Sequence, residues 1–275
     1  MNRLPFYKMS GAGNDFIIID NRRGIVPADD PPGFAARVCR RRMSVGADGL
    51  ILIENSEAAD FKWRFFNSDG SMPEMCGNGA RCAGRFAFLT GIAGPDVKFE
   101  TLAGIIRATV TGDHVRLQMT PPHAMALNRT LKLSSGTLNY SFINTGVPHA
   151  VVEVDDVAPV DVNALGREIR HHPDLTPEGA NVDFIAPLAG GSFAIRTYER
   201  GVEDETLACG TGNVAAALIL AARHQIPSPV RLRTASGTVL KVFFENRGGR
   251  WESVQLEGDA RVIYTAEMDP SAWNY

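Results

Sequence analysis

Short apolar runs, rich in β-branched and aromatic side chains, punctuate the chain and set its predicted elements. Phe16–Asp20, Leu50–Glu54, Trp63–Phe66, Val97–Thr101 and Ile105–Val110 read as strands. The spacing predicts helices at Phe34–Arg42 and Arg81–Leu89, the second stopped near Gly91. Asn213–His224 reads as a further helix, stopped before Pro227. It is rich in Ala and Leu and nearly free of charge, so burial on all sides is expected.

The pattern occurs twice. Cys76-Gly77-Asn78-Gly79 returns as Cys209-Gly210-Thr211-Gly212, a step of 133 residues. The same step takes Gly13 to Gly146 and Gly46-Ala47 to Gly179-Ala180. It also takes Val97, Thr101 and Gly104 to Val230, Thr234 and Gly237. Separated segments that hold one register mark an internal duplication. The expected fold is α+β. Two pseudo-symmetric domains each wrap a curved mixed or antiparallel sheet around a central helix, with the active site expected in the cleft between them.

The first domain is expected to span residues 1–120 plus 261–275 and the second 121–260, divided at Pro121-Pro122. The second copy has a strand candidate, Thr130–Leu133, ahead of Tyr140–Ile143, whereas the first copy has none upstream. Arg261–Thr265 is expected to return and cover that otherwise unpaired edge.

Composition narrows the function. Of 275 residues, 44% are hydrophobic and 21% charged, a globular balance that argues against disorder. A net charge of −3 offers no basic surface for nucleic acid. No apolar run reaches the ~18–20 residues of a membrane span, and the first residues lack a signal-peptide core. A cytoplasmic protein with no nucleic acid or membrane partner is expected; a homodimer is left open. No Cys-x-x-Cys pair occurs, which argues against zinc-ribbon and thioredoxin-type sites.

The candidate chemistry lies in two of the four cysteines. Cys39 and Cys82 fall within helix patterns and read as core filler. Cys76 and Cys209 each stand where a loop becomes a helix, followed by Gly-x-Gly. Glycines there leave backbone N–H groups uncovered, and a helix start binds anions. The same position favours a thiolate and is expected to lower each cysteine's pKa. Each half thus offers one sulfur beside a carboxylate cradle. The pair suits inversion of a carbon bearing hydrogen: a thiolate takes a proton from one face and a thiol returns one to the other. Donors at the helix starts would hold the adjacent carboxylate as charge develops.

Other motifs read more plainly. Gly11-Ala12-Gly13-Asn14-Asp15-Phe16 lacks the third glycine of a dinucleotide fingerprint and precedes a strand. Arg40-Arg41-Arg42 reads as a solvated helix C-terminus, and His171-His172 as a solvated loop.

Several motifs together resemble the diaminopimelate epimerase family: Gly11–Phe16, Phe66-Asn67-Ser68-Asp69-Gly70-Ser71, Cys76–Cys82, Gly146-Val147-Pro148-His149, Tyr198-Glu199-Arg200-Gly201 and Ala208–Gly212. The likeness covers nearly the whole chain in the expected order. It implies interconversion of LL- and meso-diaminopimelate without pyridoxal phosphate or any other cofactor, and without a metal. By the same resemblance Cys76 and Cys209 are the acid/base pair. Gly77, Asn78, Gly210 and Thr211 form the cradle for the reacting carboxylate. Asn14, Asn67, Asn181, Glu199 and Arg200 hold the substrate, and His149 and Glu199 tune the cysteines.

Two positions depart from the family pattern. Val147 stands where many members carry Asn, and Gly49 where some carry Gln. A valine side chain forms no hydrogen bond, and Asn144 is the nearby polar group that could take over that role. The 133-residue step also takes Phe16 to His149, Phe66 to Glu199 and Asn67 to Arg200. The tuning groups are therefore expected in the second half alone, where they could separate the charge states of the two cysteines. Competing readings are a proline or hydroxyproline-type racemase of the same fold, a hydrolase using Cys76 with His149, and a binding module without catalysis.

Overall fold

A computed structural model describes residues 3–175 and 177–275. In chain order the first elements are β1 (Leu4–Gly11), β2 (Asn14–Asp20), α1 (Pro31–Val38), β3 (Gly49–Glu54), β4 (Phe61–Asn67), α2 (Gly77–Leu89), β5 (Asp96–Thr101), β6 (Gly104–Thr111) and β7 (His114–Gln118). Then follow β8 (His123–Leu133), β9 (Gly136–Asn144), β10 (Pro148–Glu153), α3 (Val162–Arg170), β11 (Asn181–Leu188), β12 (Ser192–Glu199), β13 (Asp204–Thr206) and α4 (Gly210–His224). The chain ends with β14 (Val230–Arg233), β15 (Val239–Arg247), β16 (Arg250–Asp259) and β17 (Arg261–Met268). The chain divides into a first unit, running to Leu117 and taking in Gly258–Tyr275, and a second, Gln118–Glu257. The architecture is α+β.

In the first unit the strands pair in the order β17-β1-β2-β3-β4-β5-β6-β7. β2–β3 and β4–β5 are parallel and the other pairs antiparallel. β2 and β3 are buried on both faces, as their unbroken Ile and Leu runs require. On one face, Ile17, Ile19, Leu50 and Leu52 pack with Phe34 and Val38 of α1. On the other lies α2, which packs against β1, β2, β3, β5 and β6, so the sheet curls around it. Small residues permit that approach: a Cβ at Gly79 would fall 3.3 Å from Ile51 Cδ1 and 3.5 Å from Phe16.

The second unit has the same order, β8-β9-β10-β11-β12-β14-β15-β16, with β10–β11 and β12–β14 parallel. Here α4 takes the place of α2 and packs against β9, β10, β11, β14 and β15. The repeat is visible in backbone detail too. Gly13 and Gly146 both adopt positive φ, 103° and 112°, a conformation that side chains resist. The expected return of Arg261–Thr265 is present: β17 lies antiparallel to β1, as β8 lies to β9.

Two expectations are corrected. The first helix ends at Val38, not Arg42. Arg42 turns to φ 71°, and Arg41 is drawn off by Asp15 and Asp48, at 2.6 and 2.9 Å, so the arginine run is not a helix end. The uniform 133-residue step also slips. Phe16 pairs with Gly49 and Gly49 with Asn67, whereas His149 pairs with Asn181 and Asn181 falls opposite Glu199 in the β11–β12 register. The path from Phe16 to Gly49 is 33 residues and from His149 to Asn181 only 32, so the ladder counterpart of Asn67 is Glu199, not Arg200. One extra residue between Glu199 and Cys209 restores the step.

Candidate active site

Cys76 is the residue from which α2 starts, with extended backbone (φ −143°, ψ 112°). The Gly79 N–H donates to its Sγ at 3.4 Å. Cys76 is half-buried, and no side chain would crowd the open space beside Gly77. Beneath it runs a row of amides. Arg81 Nη2 donates to Asn78 Oδ1 at 2.7 Å, Asn78 Nδ2 to Asn14 Oδ1 at 2.7 Å, and Asn14 Nδ2 to Asp48 Oδ2 at 3.0 Å. A cation at one end and a carboxylate at the other fix the orientation of both amides. Arg81 is completely buried, which pulls its pKa down; the charges of Cys82, Asp259 and Cys76 act against that pull.

Asn67 ends β4 opposite Gly49 and donates to Ser71 Oγ at 2.9 Å. A Cβ at Gly49 would lie 2.5 Å from the Phe65 ring and 2.7 Å from the Phe66 carbonyl oxygen. Phe65 therefore fills the space a glutamine would need at this position.

Cys209 holds the equivalent place at the start of α4 (φ −109°, ψ 113°) but is buried. Its Sγ is 3.4 Å from the Thr211 hydroxyl, which is 3.0 Å from His149 Nε2. His149 Nδ1 in turn meets Asp183 Oδ2 at 2.7 Å, with both side chains fully buried. Asn181 Nδ2 approaches His149 Nε2 at 3.3 Å, and Asn181 Oδ1 accepts the Arg200 N–H at 2.7 Å. Glu199 accepts from Thr206 Oγ1 at 2.9 Å; burial pushes its pKa up, against the pull of Thr206 and His149. The Arg200 guanidinium reaches the Glu178 carbonyl at 3.4 Å.

The expected low pKa at Cys209 is overturned. Burial raises it well above the usual thiol range, and the charges of Glu199 and Asp183 raise it further, outweighing the helix start. Asn144, the polar group near Val147, accepts the Gly146 N–H on its Oδ1 at 3.0 Å. Cys39 and Cys82 are buried with thiols pushed up to about 12 by that burial, consistent with packing roles.

Within the first unit the fold thus gathers Asn14, Gly77 and Asn78 around Cys76, with Asn67 at the end of a neighbouring strand. Within the second it gathers His149, Asn181, Glu199, Arg200 and Thr211 near Cys209. Sequence reasoning passed over Asp48, Arg81 and Asp183. A signal existed for two of them: Asp183 interrupts the apolar run Val182–Ala186, and Arg81 the small-residue stretch Gly79–Ala83.

No helix among the described residues is long and apolar enough to cross a membrane. The family model for diaminopimelate epimerase matches residues 6–125 and 141–262. The chain is 48% identical to a diaminopimelate epimerase of Aquifex aeolicus, over 99% of this chain and 100% of that one. It is 46% identical to one of Hydrogenobaculum, over 94% and 95%. Two solved structures share the fold at low identity. A phenazine biosynthesis protein of the PhzF family from Bacillus anthracis aligns with TM-score 0.72 and 14% identity, over 97% of this chain and 99% of that one. A probable proline racemase from Agrobacterium radiobacter aligns with TM-score 0.68 and 20% identity, over 99% and 96%. The family-model match and the near-full-length identities establish that the chain belongs to the diaminopimelate epimerase family.

Proposed function

We propose that this enzyme interconverts LL- and meso-2,6-diaminopimelate by a two-base exchange at one α-carbon, in the cytoplasm, on the route to lysine and peptidoglycan precursors. The observation that carries the reading is the placing of one cysteine, followed by Gly-x-Gly, at the same helix start in each of two copies of one fold. One sulfur takes the α-proton, the other delivers a proton to the opposite face, and neither step needs a carbonyl cofactor. The N–H groups of Gly77-Asn78 and Gly210-Thr211 hold the reacting carboxylate as charge develops beside it. Asn14, Asn67, Asn181, Glu199 and Arg200 hold the rest of the substrate.

We infer the resting states from the surroundings of each sulfur. Cys76 receives a backbone N–H and lies near the buried Arg81 cation, so it enters as thiolate. Cys209, buried against two carboxylates, enters as thiol. Incubation of purified enzyme with LL-diaminopimelate and no added cofactor should yield the meso isomer. Turnover of proline or hydroxyproline with diaminopimelate untouched would favour the racemase alternative and overturn this reading.

A further inference from the structure

Two neighbours place the proton of His149 on the same ring nitrogen, the closer of them being Asp183. Asp183, an acceptor, lies 2.7 Å from Nδ1. The Asn181 amide is oriented by the Arg200 N–H, which its Oδ1 accepts at 2.7 Å. Its Nδ2 therefore faces His149 Nε2, and an N–H can only donate. Nδ1 must carry the proton and Nε2 must accept. The Thr211 hydroxyl, at 3.0 Å the closer of the two donors, takes the main share of the single Nε2 lone pair, the Asn181 N–H at 3.3 Å the lesser, and this leaves a hydroxyl oxygen lone pair for the Cys209 S–H at 3.4 Å. Asp183 is itself held by the Thr197 hydroxyl, 2.7 Å from Oδ1. It also requires Gly212, where a Cβ would lie 2.3 Å from Oδ1. The titratable groups set against this relay are His149 on β10, Asp183 on β11, Glu199 on β12 and Cys209 itself at α4.

We propose that Asp183 is a positioning residue for the reaction: by holding His149 in its Nδ1–H form it turns the Thr211 hydroxyl so that Cys209 keeps its proton and serves as the donor thiol. This rests on reading Cys209 as one of the two acid/base groups. At the matching positions the first unit carries no such device: the ladder counterparts of His149, Asp183 and Thr197 are Phe16, Ile51 and Phe65.

Asp183→Asn should reverse the relay. Thr197 would continue to donate to the remaining Asn oxygen, so the new N–H₂ faces Nδ1 across the shorter contact, 2.7 Å against 3.3 Å for the Asn181 amide on Nε2, and drives the proton to Nε2. Thr211 would then point its hydroxyl at Cys209 Sγ and favour the thiolate. The test is ¹⁵N NMR of the imidazole nitrogens, together with the pH dependence of Cys209 modification by methyl methanethiosulfonate, read by peptide mass. Wild-type His149 should show a protonated Nδ1 and a bare Nε2. In Asp183→Asn the proton should move to Nε2, and Cys209 should react on the order of tenfold faster at pH below its inflection. A wild-type His149 protonated at Nε2 would overturn the proposal, and this measurement does not depend on the variant folding. A folded Asp183→Asn protein with an unchanged Cys209 profile would overturn it too. Neither readout needs substrate; failure of the wild type to turn over diaminopimelate would instead count against the functional reading.

Discussion

Below the start of α2 and the start of α4 the same fold holds opposite chemistry. In the first unit Phe16, Ile51 and Phe65 form an apolar floor, with the two rings edge to face at 6.0 Å. In the second, His149, Asp183 and Thr197 occupy the same ladder positions and are joined by hydrogen bonds. Either filling is stable for the same reason: each leaves no buried polar group in the cluster without a partner. They are not equivalent for the sulfur above. An apolar floor adds no charge, and a buried cation, Arg81, lies near Cys76. The polar floor puts carboxylates against Cys209. A duplicated fold can thus set two copies of one cysteine motif in different electrostatic surroundings.

Substitutions at and below the two helix starts test this contrast. The largest effect is expected from Cys76→Ser and Cys209→Ser. Each should lower kcat by about 10²–10⁴-fold, the usual worth of a general acid or base, with thermal melting unchanged. Wild-type rates in either variant would end the two-sulfur account.

Ile51→Asp is expected to rank next. It moves the second unit's carboxylate into the first unit without the His149 and Thr197 partners. A buried charge stripped of its partners costs about 3–5 kcal/mol, read from the urea midpoint. A variant as stable as the parent would show that the apolar floor does not exclude charge.

Glu199→Gln should give the smallest shift. Its carboxylate disfavours the neighbouring thiolate, so its removal should lower the pH at which Cys209 ionises by up to about one unit. The sign has a second consequence. Burial raises the pKa of Glu199 itself, so as pH falls through that raised value Glu199 takes a proton and the difference between parent and variant should vanish. The pH dependence of Cys209 alkylation in both proteins, measured without substrate, provides the check.

Much of this was legible in the sequence, and the reasons are local. The Cys-Gly-x-Gly pair revealed both helix starts because glycines beside a cysteine do not arise from packing demands alone. The β17 return was legible because one copy lacked its first strand. The register slip was not, since a one-residue change in a connection leaves no mark in composition, and it moved the counterpart of Asn67 from Arg200 to Glu199. The high pKa of Cys209 was also out of reach. A helix-start rule reads only the backbone next to the sulfur, whereas burial and two carboxylates from β11 and β12 decide the outcome. Val147 and Gly49 were visible as departures, but the Phe65 ring that fills the space beside Gly49 comes from the facing strand.

The central claim, one sulfur for each face of the α-carbon, is tested most directly by the early fate of solvent label. LL-diaminopimelate is turned over in deuterium oxide, and product and unreacted substrate are separated before equilibrium. The account predicts deuterium at one α-carbon of the meso product, because Cys209 delivers a solvent-derived proton, and essentially none in the recovered LL isomer, because the proton taken by Cys76 stays on its own side. Deuterium entering the recovered LL isomer as fast as the meso product would mean that a single base works both faces, and would contradict the account.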